Sequence, residues 1–113
     1  MLLRVDIEDR DGLALVTAVG EIDASTADLL SSVVSKALAD GYSYVVVDFA
    51  QVGFIDSTGL GVLVRSHRAA VASDAAFAVV HPTPQTLKLI RLLGLDQLLS
   101  IYSSQEEAFA QRS

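Results

Sequence analysis

The sequence contains no cysteine, which excludes disulfides, thiolate metal sites and a cysteine nucleophile, and agrees with a reducing compartment. It has no charge-free stretch of the roughly 18 residues that a membrane-spanning helix needs. An apolar leader core is missing as well, because Arg4, Asp6, Glu8, Asp9 and Arg10 interrupt the first residues. Basic charge is scarce: eight Lys and Arg stand against fourteen Asp and Glu, a formal net charge of −6. Affinity for nucleic-acid backbones comes mainly from Lys and Arg, so no nucleic-acid surface is expected. Only two histidines occur. His67 falls inside an apolar helix face and His81 stands beside a proline in a loop, so neither reads as a general base. These absences leave a soluble cytoplasmic protein as the expectation.

What is present describes a single packed core. The 113 residues are 51% hydrophobic and only 19% charged, far from the disordered class. A chain of this size hides roughly two-thirds of its accessible surface on folding, enough for one domain spanning residues 1–113.

Leu3, Val5 and Ile7 alternate with Arg4 and Asp6, the period of a half-buried strand. Asp11-Gly12 is a turn signal that predicts a hairpin with a second strand from Leu13 to Val19, ending at Gly20. Ser25 followed by Asp28 resembles a capping box. After it, Leu29, Leu30, Val33, Val34, Ala37 and Leu38 recur at helical spacing, and Gly41 closes that helix. Tyr44 to Phe49 reads as a central strand, since Val45, Val46 and Val47 run without alternation. Beyond a short loop, Ser57 opens a second helix that is expected to bury Leu60, Leu63, Val64, His67, Ala70 and Val71. Ala76 to Val80 is a fourth strand. Pro82 and Pro84 introduce a third helix that would bury Leu87, Ile90 and Leu93 before Gly94 stops it. Ile101-Tyr102 suggests a short fifth edge strand and Gln105 to Gln111 a last helix. The order β-β-α-β-α-β-α-β-α implies an α/β fold: one mixed, mostly parallel sheet of four to five strands, about four helices and an opening hairpin.

The informative stretch runs from Val52 to Val64. Gly59 and Gly61 in the opening turns of a helix cost about 1 kcal/mol each relative to alanine, so something other than helix propensity placed them there. Glycine admits close approach of another surface and leaves helix-end N–H groups uncovered. Ser57 suits the N-cap, beyond the carboxyl end of a strand, where open α/β sheets bind ligands. No Gly-Lys-Ser/Thr follows the glycines, so this is no P-loop. Taken alone, Asp56-Ser57-Thr58-Gly59 also reads as a well-capped helix start.

The run Phe54-Ile55-Asp56-Ser57-Thr58-Gly59-Leu60-Gly61 closely resembles the phosphorylation segment of the STAS-domain anti-sigma factor antagonists of bacteria. Gly20-Glu21-Ile22-Asp23, followed by Thr26, resembles that family's second recurring segment, at the end of the second strand. The element order matches the STAS fold along essentially the whole chain. The resemblance implies a partner switch. The unphosphorylated antagonist binds an anti-sigma factor that is also a serine protein kinase, and so releases the sigma factor. Phosphorylation on Ser57 abolishes binding, and a serine phosphatase resets the cycle. Asp56, Ser57, Thr58, Gly59, Leu60 and Gly61 would form the docking surface, with Asp23 beside it. The resemblance implies a binding module rather than an enzyme, without cofactor, metal or membrane. A homodimer stays open, since several STAS domains self-associate.

Three other readings stand beside this one. STAS domains also serve as scaffolds in stress-signalling and lipid-transport complexes. A phosphorelay receiver would use Asp48 as its acceptor, but no lysine lies near the fifth strand to hold a phosphate. Asp48 is expected instead to be a strand-end or loop-bonding residue. A small hydrolase on the Asp56-Ser57 loop lacks a general base and a basic phosphate clamp.

Overall fold

The computed structural model describes residues 2–111. Strand β1 (Leu3–Arg10) and strand β2 (Leu13–Ile22) form the expected hairpin. Asp11 and Gly12 hold positive φ angles of 57° and 86°, the backbone of a two-residue turn that matches the twist of its flanking strands. Both strands outrun the alternation seen in the sequence. Helix α1 (Ala27–Ala39) follows, then strand β3 (Tyr44–Ile55), helix α2 (Ser57–Ala72) and strand β4 (Ala76–Val80). Helix α3 (Pro84–Leu92), a 3₁₀ turn (Leu95–Gln97), strand β5 (Ser100–Tyr102) and helix α4 (Gln105–Ala110) complete the chain.

The five strands lie in chain order in one sheet, β1 antiparallel to β2 and all other neighbours parallel. Val45 and Val47 face the larger core, which α1, α2 and α3 cover with Leu30, Val34, Leu63 and Ile90. Tyr44 and Val46 face the other side with Leu13, Leu15 and Ala108 of α4. The unalternating valines of β3 thus fill two cores, one on each face of the sheet. The Tyr44 hydroxyl donates to the Ala108 carbonyl at 2.9 Å and fastens α4 to the sheet. Burial pushes that phenol up to about 12.

Strand β3 is twice as long as the sequence suggests, ending at Ile55 rather than Phe49. The cause is a change of step. Thr17 pairs with Asp48 but Val19 with Gln51, and Gly20 pairs with Val52 but Glu21 with Phe54, so β3 carries an extra residue twice. Each bulge bends the strand and resets which side chains face inward. Val45, Val47 and Phe49 reach the core at steps of two, then Val52 and Ile55 at steps of three. That broken period reads as loop. No loop separates β3 from α2; only Asp56 intervenes.

Helix boundaries are close to expectation, but three side chains are not where the periodicity put them. Leu29, Val71 and Leu93 are exposed. In α2 the buried residues are Gly59, Leu60, Val62, Leu63, Ser66 and Ala70, and the small ones, Gly59, Ser66 and Ala70, let the helix lie close to its neighbours. The Ser25 capping box does not form either, because α1 begins at Ala27, behind a Thr26 that makes no side-chain cap. Gly41 does close α1 in the left-handed region, with Gly41 N–H donating to Leu38 O and Tyr42 N–H to Ala37 O.

Candidate functional site

Parallel pairing brings the two segments singled out in the sequence to one edge. Ile22 and Ile55 are register partners at the ends of β2 and β3, and Asp56 N–H donates to Ile22 O at 3.2 Å. Asp23 and Asp56 therefore leave the sheet side by side. The edge is the carboxyl end of parallel strands, where open α/β sheets place their sites.

Asp56, not Ser57, is the N-cap of α2. Its backbone is extended, with φ −106° and ψ −171°, and its carboxylate accepts from Gly59 N–H at 3.1 Å. An aspartate suits this place because it satisfies an orphan donor and sets a negative charge on the positive end of the helix dipole. Ser57 becomes the first helical residue. Its side chain is exposed, and its hydroxyl bonds no other group among the described residues. Thr58 is exposed beside it.

The two glycines differ. Gly59 is buried, and a Cβ there would lie 2.5 Å from Ile55 Cγ1 and 2.8 Å from Ile22 Cγ2. The surface that approaches it so closely is the chain's own sheet edge. At Gly61 a Cβ would meet only the Arg65 guanidinium, at 3.2 Å. Leu60 points into the core, 2% exposed. Gly59 and Leu60 can therefore add no more than backbone to an outer surface, while Ser57, Thr58 and Asp56 present side chains.

The neighbouring loop is latched by its own polar groups. The Thr26 hydroxyl donates to Glu21 O at 2.8 Å and accepts from Asp23 N–H at 3.0 Å. The Asp23 carboxylate accepts from the Ser25 hydroxyl at 2.7 Å and the Ser25 N–H at 2.9 Å. These bonds, the Ser25 hydroxyl first, hold the Asp23 carboxyl below the usual carboxylate range. Asp23 thus stays ionised beside Asp56. Two large apolar side chains on the adjoining elements are exposed: Phe54, next to the last residue of β3, and Leu29, in the first turn of α1, at 46% and 44%. For Phe54 the signal was its place in the quoted motif; for Leu29 the helical period hid it.

Asp48 is not at a strand end. It lies within β3 just before the first bulge, 7% exposed. Its oxygens accept from Ala50 N–H at 2.8 Å and Gln105 Nε2 at 2.6 Å, and one lies 3.3 Å from His81 Nδ1. This carboxylate stabilises the bulge and ties three segments together, an arrangement with little room for an acceptor's chemistry. Among the described residues no group of three or more His, Asp or Glu could hold a metal ion.

Comparison with known proteins agrees with this geometry. Residues 4–108 match the STAS domain. The chain belongs to the STAS domain family. Among curated STAS relatives, the anti-sigma-F factor antagonist RsfB of Mycobacterium tuberculosis is 30% identical over 106 residues, 94% of this chain and 86% of the relative. A solved anti-sigma factor antagonist from Mycobacterium paratuberculosis superposes with a TM-score of 0.84 at 31% identity, covering 96% of this chain and 92% of the other. The antagonist SpoIIAA shares the fold in both its unphosphorylated and phosphorylated forms. The TM-scores are 0.78 and 0.73 at 21% and 20% identity, over 94% and 97% of this chain and 93% and 100% of SpoIIAA.

Proposed function

We propose that this STAS protein is an anti-sigma factor antagonist whose binding is switched by phosphorylation of Ser57. It acts in the cytoplasm as a binding module rather than an enzyme. The unphosphorylated form docks on an anti-sigma factor with serine kinase activity and releases the sigma factor; a serine phosphatase restores it. The names of the relatives support the class of partner. The observation that carries the phosphosite is the free, exposed Ser57 hydroxyl at the first position of α2, beside a carboxylate already engaged as the cap. Ser57, Thr58, Asp56 and Asp23 form the polar part of the docking surface, with the backbone of Gly59 to Gly61 beneath. Exposed Phe54 and Leu29 supply the apolar anchors that such interfaces need at their centre.

A phosphate adds about −1.5 to −2 charges and three acceptor oxygens. The N–H groups opening α2 accommodate an anion, so the fold need not change. The penalty falls on the complex, where a dianion beside Asp56 and Asp23 has to be desolvated and fills space meant for the partner. Incubation with the cognate kinase and ATP should add one phosphate to the chain, located at Ser57 by peptide mass analysis. Ser57→Ala should stay unmodified and keep binding, and Ser57→Asp should bind more weakly. Phosphate on another residue, or an Asp variant that binds as tightly as wild type, would remove the basis of this reading. No helix among the described residues is long and apolar enough to cross a membrane.

A further inference from the structure

The proposed switch uses only one edge of the molecule and leaves a second polar locus without a role. At the carboxyl ends of β4 and β5, beside Ala50 in the middle of β3, a cavity of about 780 Å³ opens between α3, the 3₁₀ turn and β5. That volume falls within the range of small-molecule sites, and the lining joins an apolar wall to a group of polar side chains. Leu87, Leu99 and Ile101 supply apolar walls. Arg91, Tyr102 and Ser103 supply side-chain donors that make no hydrogen bond or ion pair with any described residue, although the chain carries fourteen acids.

His81 lines the same cavity, and its placement is built rather than incidental. Its backbone is left-handed, φ 53°, a conformation uncommon outside glycine and one that marks sites worth inspection. Asp48, nine-tenths buried, lies against Nδ1 at 3.3 Å. A carboxylate on one ring nitrogen orients the imidazole in the cavity wall. Gln105 of α4 bonds the other Asp48 oxygen, so the support of this ring reaches both layers of the fold. One acid, Asp96, stands among the lining residues, and it is exposed.

We propose that this cavity is a second ligand site, for a small organic anion. An apolar body rests on Leu87, Leu99 and Ile101, and its acidic group meets Arg91 with the hydroxyl donors of Tyr102 and Ser103. A guanidinium pairs with a carboxylate more strongly than neutral donors do, so Arg91 carries the recognition of charge, and Asp96 opposes it. The site is independent of Ser57 and of any anti-sigma factor.

The test is titration of the full chain, followed by amide chemical shifts, with 2-naphthoate and decanoate as probes and 2-naphthamide as the uncharged control. At least one acid should produce saturable shifts at His81, Arg91 and Ser100 to Ser103, while the amide binds more weakly. Arg91→Gln should weaken the acid by about tenfold, the scale of one charge-assisted bond. Asp96→Asn should tighten it, and Arg68→Gln, outside the cavity, should change nothing. Each variant is first checked for a wild-type spectrum elsewhere; the exposed positions of Arg91 and Asp96 make that the expected outcome. Absence of saturation with both acids, equal binding of the amide, or wild-type affinity in Arg91→Gln would each overturn the proposal. Ser57→Ala should bind the acid unchanged, so failure of the phosphoswitch leaves this result standing.

Discussion

Two aspartates of one chain segment, Asp48 and Asp56, do opposite work. Asp48 is buried in β3, and beyond its local bond from Ala50 N–H its partners lie 33 and 57 residues away, in the loop after β4 and in α4. Asp56 follows the last residue of the same strand, and its side-chain bond reaches only three residues ahead, to Gly59. The first joins distant parts of the fold. The second settles a local helix end and so leaves the adjacent hydroxyl of Ser57 uncommitted. A polar group bound over long range constrains the fold, whereas one satisfied locally can stand next to a functional group without consuming it.

The comparison breaks most sharply at Asp48. Asp48→Ala removes the charged acceptor for Ala50 N–H and Gln105 and the partner of His81, three part-buried interactions at once. Such losses cost about 3 kcal/mol. Urea denaturation should show that loss, while phosphorylation of Ser57 in the still-folded fraction continues. If Asp48→Ala unfolds with the wild-type midpoint, the bulge does not depend on its carboxylate.

The two glycines sharpen the same contrast between inner and outer positions. A methyl group at Gly59 meets branched carbons of Ile55 and Ile22, and forcing it in should cost about 1–3 kcal/mol despite the gain of about 1 kcal/mol in helix propensity. At Gly61 the neighbour is a flexible guanidinium, so Gly61→Ala should stabilise by up to about 1 kcal/mol. Thermal unfolding of the pair decides it: opposite signs are expected. If Gly61→Ala folds better but loses the anti-sigma factor, the bare backbone at that position serves docking. Equal destabilisation of both would contradict the packing described for α2.

Much of this architecture was legible because local signals agreed with one another. Asp11-Gly12, Gly41, the three valines of β3 and the β-α repeat each fixed an element without help from the rest. The second half of β3 was not legible, because two bulges break the period on which strand recognition depends. Exposure of Leu29, Val71 and Leu93 was hidden for a related reason: periodicity gives a helical face but not its rotation against a particular sheet. At the site, the motif located Asp56 and Ser57, but their division of labour required the backbone angles of Asp56. The Asp48, His81 and Gln105 cluster spans 57 residues of sequence. No spacing rule connects residues so far apart; only the topology brings them together.

The smallest effect tests the division between cap and switch directly. Because Asp56 accepts from Gly59 N–H, Asp56→Ala should cost about 1 kcal/mol of stability, the usual loss of an N-cap. Ser57 contributes no cap bond and lies exposed, so Ser57→Ala should remain within about 0.5 kcal/mol of wild type, the ordinary range for surface substitutions. Chemical denaturation of the two single variants and the double variant separates the cases. If Ser57→Ala proves the costlier change, the serine supports the helix end, and a phosphate there would disturb the fold itself. A small, additive effect at Ser57 leaves the hydroxyl free to change charge at little structural cost, which is what a switch confined to the interface requires.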